Sequence, residues 1–189
     1  MKKWKKLVAL ALAAILAMSL LTACGGGGGS QSFETQVENA VFAAYSQAIG
    51  RNNIKSNDPA LKQLANKSLS CVKNGRYNVN DMKKSIEVKA NAGNPNELTV
   101  QIAMPLGDPN GYTTENSYRV LAITPEMVGE LKNELKDMDG ELDEIVVDLE
   151  EQGARIDGIG VAAKTIDGKT YAAVGFSITG DSALFEKLS

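Results

Sequence analysis

The chain of 189 residues contains no histidine, and its one tryptophan, Trp4, lies in the first few residues. The lack of imidazole excludes Ser-His-Asp and Cys-His nucleophile systems, His-ligated zinc and imidazole proton shuttling. Aromatic residues make up only 5% of the chain, and there is no tryptophan or tyrosine cluster to serve as a sugar-binding platform. There are two cysteines, Cys24 and Cys71, too few for a disulfide framework. No glycine motif for phosphate is present: Gly158-x-Gly160 lacks the remaining glycine and falls in an extended run. What is present in quantity is apolar, 43% hydrophobic residues against 23% charged, the balance of a globular body.

The N-terminus is organised for export. Residues 1–6 read MKKWKK, and a nearly unbroken apolar stretch runs from Leu7 to Ala23. A basic segment followed by a short apolar one is the pattern of a secretory signal. The apolar stretch is 17 residues, interrupted by Ser19 and Thr22, marginal against the roughly 20 needed to span a bilayer. Its end, Leu21-Thr22-Ala23-Cys24, resembles the lipobox of bacterial lipoprotein precursors. The resemblance covers residues 1 to about 30 and names no family for the rest of the chain. It implies cleavage before Cys24, a diacylglycerol (palmitate-type) thioether on that cysteine, and residence on the outer face of the cell membrane. Gly25 to Gly29 and Ser30 follow, a tract with a Gram-positive look. Such a Gly/Ser tether behaves as a random coil and holds a domain about 13 Å from the headgroups. The expected organisation is a signal over 1–23, a lipidated cysteine and tether over 24–31, and one domain over 32–189.

The signal carries four lysines and no acids, so the chain from Cys24 onward has 16 basic and 23 acidic residues, a net charge of −7. That balance argues against nucleic acid as a partner. The acids are concentrated: residues 126–157 hold 12 acids and 3 bases. Within them Asp137, Asp139, Glu141, Asp143 and Glu144 suggest a calcium loop. Placing Gly140 at its required glycine puts Leu135 and Val146 where the first and last ligands must stand, so both are lost. No cofactor or metal is expected.

The periodicity predicts an α+β domain, an antiparallel sheet of about five strands with helices packed on one side, in the order ααβββαββ(α). Phe33, Val37, Ala40, Val41, Ala44, Ala48 and Ile49 recur at helical spacing between Ser32 as cap and Gly50 as stop. A second helix starts at Asp58-Pro59 and is expected to end near Asn74-Gly75. Cys71 falls on its face with Leu61, Leu64, Ser68 and Val72, the setting of a small buried hydrophobe. Residues 85–91 and 98–104 alternate and read as a hairpin, and 118–123 as a third strand. A third helix from Thr124-Pro125 keeps its spacing to about Gln152, with or without a break at Gly140. In the last hairpin, Asp167-Gly168 fixes the register. One face carries Ile159, Val161, Val174 and Phe176; the other carries Gly160, Ala162, Ala173 and Gly175, small enough for close approach by a helix of the same chain, the favoured reading, or by a partner. Residues 182–188 form a short final helix.

The loop before the third strand gathers Asp108, Asn110, Tyr112, Thr113, Thr114, Glu115 and Asn116. Its length exceeds that of an ordinary hairpin loop, so Asp108, Asn110, Tyr112 and Glu115 form the candidate ligand-binding set, with a tolerated insertion as the alternative. The functional expectation is a lipid-anchored extracytoplasmic module that binds or scaffolds, its protein or small-ligand partner unidentified, rather than an enzyme. The alternative is a cell-wall hydrolase using two carboxylates about 5–9.5 Å apart.

Overall fold

The computed structural model describes residues 31–186, except 51–53, 92, 112, 113, 115 and 131–145. Helix α1 spans Phe33–Ile49 and helix α2 spans Pro59–Leu69. The strands are β1 (Arg76–Asn78), β2 (Ile86–Ala90), β3 (Glu97–Pro105), β4 (Ser117–Arg119), β5 (Ala154–Ile166) and β6 (Lys169–Asp181). A 3-10 helix, Val79–Ser85, links β1 to β2, and Ser182–Glu186 is the final helix. The class is the expected α+β. All pairings are antiparallel, but they divide into a four-stranded sheet, β2-β3-β6-β5, and a two-stranded one, β1-β4, in place of a single sheet of about five.

The helix ends follow their capping chemistry. The Ser32 hydroxyl accepts from the Thr35 amide, and Gly50 closes α1 in the left-handed conformation at φ 63°. The Asp58 carboxylate accepts from the amides of Ala60 and Leu61, ahead of Pro59. Helix α2 is shorter than expected. After Leu69 the chain tightens, with the Cys71 and Val72 amides reaching back three residues to Ser68 and Leu69. Asn74 and Gly75 then both adopt positive φ, 51° and 68°, while Lys73 and Arg76 exchange two backbone hydrogen bonds of 2.9 Å. Asn74-Gly75 is therefore a hairpin tip leading into β1 rather than a helix end. Cys71 lies past the helix and is half-buried against the core rather than within it.

The β5–β6 hairpin has the anticipated register, with Ile166 opposite Lys169 and positive φ at Asp167 and Gly168. Ile159 faces Phe176 and Gly160 faces Gly175. A bulge between Ile156 and Gly158 switches the face of β5, so that Ile156, paired with Ile178, lies on the same side as Ile159. The hairpin of β2 and β3 also pairs as the alternation requires, Ile86 with Ile102 and Val88 with Val100.

The two helices occupy both faces of the sheet rather than one. A Cβ placed on Gly160 would overlap Leu61 Cβ and the Lys62 amide nitrogen, and one on Gly175 would lie 2.8 Å from the Leu61 carbonyl oxygen. Helix α2 therefore rests backbone-first on the glycine-alanine face. Successive strand residues point to opposite faces, and Phe176 meets Tyr45 of α1, their ring centroids 5.8 Å apart. Helix α1 thus covers the face of larger side chains, and Asn57 and Asp58, just before α2, lie along the β5 edge. Each face selects its helix by side-chain size.

The third expected strand is only partly strand. Ser117–Arg119 pairs with β1, and the chain then touches the main sheet by a single bridge from Ile123 to Thr170. Residues 125–130 and 146–151 are helical, with Val146 buried. Whether that helix continues through Gly140 falls outside the described residues, as does the acidic run from Asp137 to Glu144.

Four substitutions test this packing by denaturant unfolding. Phe176→Ala should cost roughly 3–5 kcal/mol, whereas Lys164→Ala, exposed on the opposite face, should cost less than about 0.5 kcal/mol. Gly160→Ala, which forces α2 off the sheet, should cost about 3 kcal/mol. Tyr45 is 1% exposed and its hydroxyl has no hydrogen-bond partner. Tyr45→Phe should therefore leave stability unchanged or raise it by up to about 1 kcal/mol, because it keeps the ring and removes an unpaired buried group.

Candidate functional site

The loop set from the sequence is only partly described: Tyr112 and Glu115 lie outside the described residues. The remainder of the loop is occupied with its own conformation. The Asp108 Oδ1 accepts from the Asn110 amide at 2.9 Å, and its carbonyl accepts from the Gly111 amide at 2.9 Å. Its own amide donates to the Arg119 carbonyl at 2.8 Å, and its carboxylate stands 3.9 Å from the Arg119 guanidinium. Asn110 is exposed. Thr114 shares its hydroxyl with Ser117, 2.9 Å away. Asp108 is a turn-former that fixes the loop over β4.

The more organised polar cluster lies along the outer edge of β5, which sequence reading did not single out. An edge strand presents alternate unpaired amides and carbonyls. Here they are met individually. The Ile159 carbonyl accepts from the Asp58 amide at 2.9 Å. The Asn57 side chain takes both groups of Val161, its Oδ1 accepting from the amide at 2.7 Å and its Nδ2 donating to the carbonyl at 3.0 Å. The Ala163 amide donates to Glu38 at 3.1 Å. Glu38 also receives Lys62 Nζ at 2.6 Å, joining α1 to α2 around the edge. Further out, the Thr165 hydroxyl donates to Glu34 at 2.5 Å and holds that carboxyl below its ordinary range. An amide side chain carries one donor and one acceptor side by side, so Asn57 substitutes for a residue of a neighbouring strand.

The other carboxylates with resolved shifts are likewise in structural partnerships. The Lys84 ammonium, 2.6 Å away, lowers Asp81; Lys67, at 3.0 Å, lowers Glu87; and the Thr124 hydroxyl lowers Glu126. Each is biased toward the charged form. A general acid needs the reverse, a carboxyl kept protonated by burial or a like charge. Among the described residues no group of three or more cysteine, aspartate and glutamate side chains could hold a metal ion.

The tyrosines Tyr77 and Tyr118, paired across β1 and β4 with rings 5.5 Å apart, anchor the small sheet. The Tyr118 hydroxyl donates to the Pro105 carbonyl at 2.8 Å, and burial pushes its phenol well up. Their role is packing. Neither these features nor the chain as a whole leads to a known group: no protein family, curated protein or solved structure matches it.

If Asn57 acts as a strand surrogate, both of its hydrogen bonds matter. Asn57→Ala should destabilise the domain by roughly 1–3 kcal/mol through the unpaired groups of Val161. Asn57→Asp should not rescue it, since a carboxylate has no proton for the Val161 carbonyl. A melting temperature of Asn57→Asp equal to that of the unmodified chain would contradict this role.

Proposed function

We propose that the chain is a lipid-anchored extracytoplasmic protein, attached through Cys24, whose folded domain binds or scaffolds rather than catalyses. The observation that carries the reading is the succession of a basic segment, a short apolar stretch, Leu21-Thr22-Ala23-Cys24 and five glycines. Two acyl chains on one cysteine suffice for stable anchoring, where one alone is reversible. The tether leads within a few residues into Ser32, the cap of α1, so a pull on the anchor meets the fold at a capped helix. Glu34, in the first turn, is bonded to Thr165 beside the β5–β6 tip. That end of the domain, with Asp167 and Gly168, therefore lies nearest the membrane.

The binding or scaffolding role is supported by how the described polar groups are spent. Asp58 caps α2, and Glu34 and Glu38 of α1 and Glu87 of β2 hold the β5 edge and ion pairs. The runner-up, a cell-wall hydrolase, needs two convergent carboxylates of unlike protonation. The carboxyls with resolved shifts, Glu34, Asp81, Glu87 and Glu126, are all lowered.

The anchor is tested by Cys24→Ala in the full chain. The substituted protein should leave the membrane fraction or accumulate with its signal uncut, and radiolabelled palmitate should no longer be incorporated. A Cys24→Ala chain that is still cleaved before residue 24 and still sediments with membranes would overturn the proposal. The hydrolase reading would be revived by release of soluble fragments from purified cell wall, lost on substitution of two specific acids.

A further inference from the structure

The two edges of the four-stranded sheet are treated differently. β5 is closed by Asn57, Asp58 and Glu38, whereas among the described residues nothing closes β2. The Asn91 amide donates to the Glu97 carbonyl, so the backbone of Asn91 faces β3, and by the alternation of antiparallel pairs so do those of Lys89 and Glu87. The amides and carbonyls of Ile86, Val88 and Ala90 therefore point outward, and no described residue meets them. Val88, at the middle of the strand, is the most exposed large hydrophobic side chain among the described residues, at 60%.

We infer that β2 is a self-complementary edge, and that two copies of this chain pair through it antiparallel, joining their sheets into one of eight strands. Register makes the edge self-complementary. A two-fold axis through Val88 sets Val88 against its own copy, and Ile86 against the copy's Ala90. These are the three positions whose backbone groups point outward, so every open donor finds an open acceptor. The same axis sets Glu87 opposite the copy's Lys89, and Lys89 opposite the copy's Glu87. In one copy these side chains already share a face, with Lys89 Nζ 3.7 Å from Glu87. A charged edge ordinarily repels a second strand; this arrangement of one acid and one base about the centre attracts its own copy. The apolar side chains of Val88 and Ile86 lie on the opposite face from the charges and would be partly covered in the pair. Any shift of register by two residues sets Glu87 against Glu87 or Lys89 against Lys89. The interface is small and the association accordingly reversible. The inference does not depend on the lipid anchor.

The test uses the full chain carrying two different affinity tags in the same cells, with capture on one tag and detection of the other. Unmodified chains should co-capture. Glu87→Lys on both copies sets lysine against lysine, Lys89→Glu on both sets glutamate against glutamate, and each should reduce co-capture by roughly tenfold. A mixture of one Glu87→Lys copy with one Lys89→Glu copy restores opposite charges at both contacts and should recover it. Val88→Pro removes the central amide from the outer edge without breaking a bond to β3, and should abolish co-capture at an unchanged melting temperature. Absence of co-capture in the unmodified pair, equal capture in all four charge combinations, or capture only of a different protein in place of a second copy would each overturn the inference.

Discussion

The structure depends on a close approach: α2 lies directly on Gly160 and Gly175, with only backbone between helix and sheet. No other residue type fits at these two positions, since even a methyl group would meet Leu61. Once α2 is seated there, Asp58 at its cap reaches the Ile159 carbonyl and Asn57 comes alongside Val161. Glu38 of α1 then has Lys62 within 2.6 Å. The burial of α2, the sealing of the β5 edge and the placement of α1 on the far face are consequences of one contact.

Sealing one edge and leaving the other open gives the sheet a direction. The β5 side carries the start of α1, bonded through Glu34 to Thr165, while β2 is at the opposite limit of the sheet, its outer backbone groups met by no described residue. In the lipid-anchored protein proposed above, the element available for association would not be the one beside the anchor.

Much of this was legible in the chain. Asp167-Gly168 and the alternation on either side determined the last hairpin, because turn chemistry and side-chain pattern demanded the same register. The small-residue face signalled the approach of a helix. The caps Ser32, Asp58 and Gly50 marked helix boundaries by local hydrogen bonding alone. What escaped was long-range. Asn74-Gly75 reads as either a helix stop or a hairpin tip, and the choice rests on Arg76–Asn78 finding β4 some forty residues later. The placement of α1 and α2 on opposite faces could not follow from their periodicities, which say that a helix has a buried side but not which surface it meets. Asn57 carried no signal because a polar connector residue gives no hint of a strand edge it will complete. Tyr45 was hidden for a related reason, its hydroxyl suggesting exposure where its ring is buried against Phe176. In the loop, turn-forming and ligand-binding residues share the same side-chain groups, so the chain alone does not separate the two roles at Asp108 and Asn110.

The most direct test of the account is amide hydrogen exchange at Val161 and Ala163. Both belong to an edge strand, where outward amides ordinarily exchange through local fraying. If α2, the connector and α1 enclose that edge, these two amides should exchange only through global unfolding, with the same free energy as the buried amides of β6. Exchange of Val161 and Ala163 at rates typical of exposed loop amides, under conditions where β6 stays protected, would show that the edge is open and the account of its closure wrong.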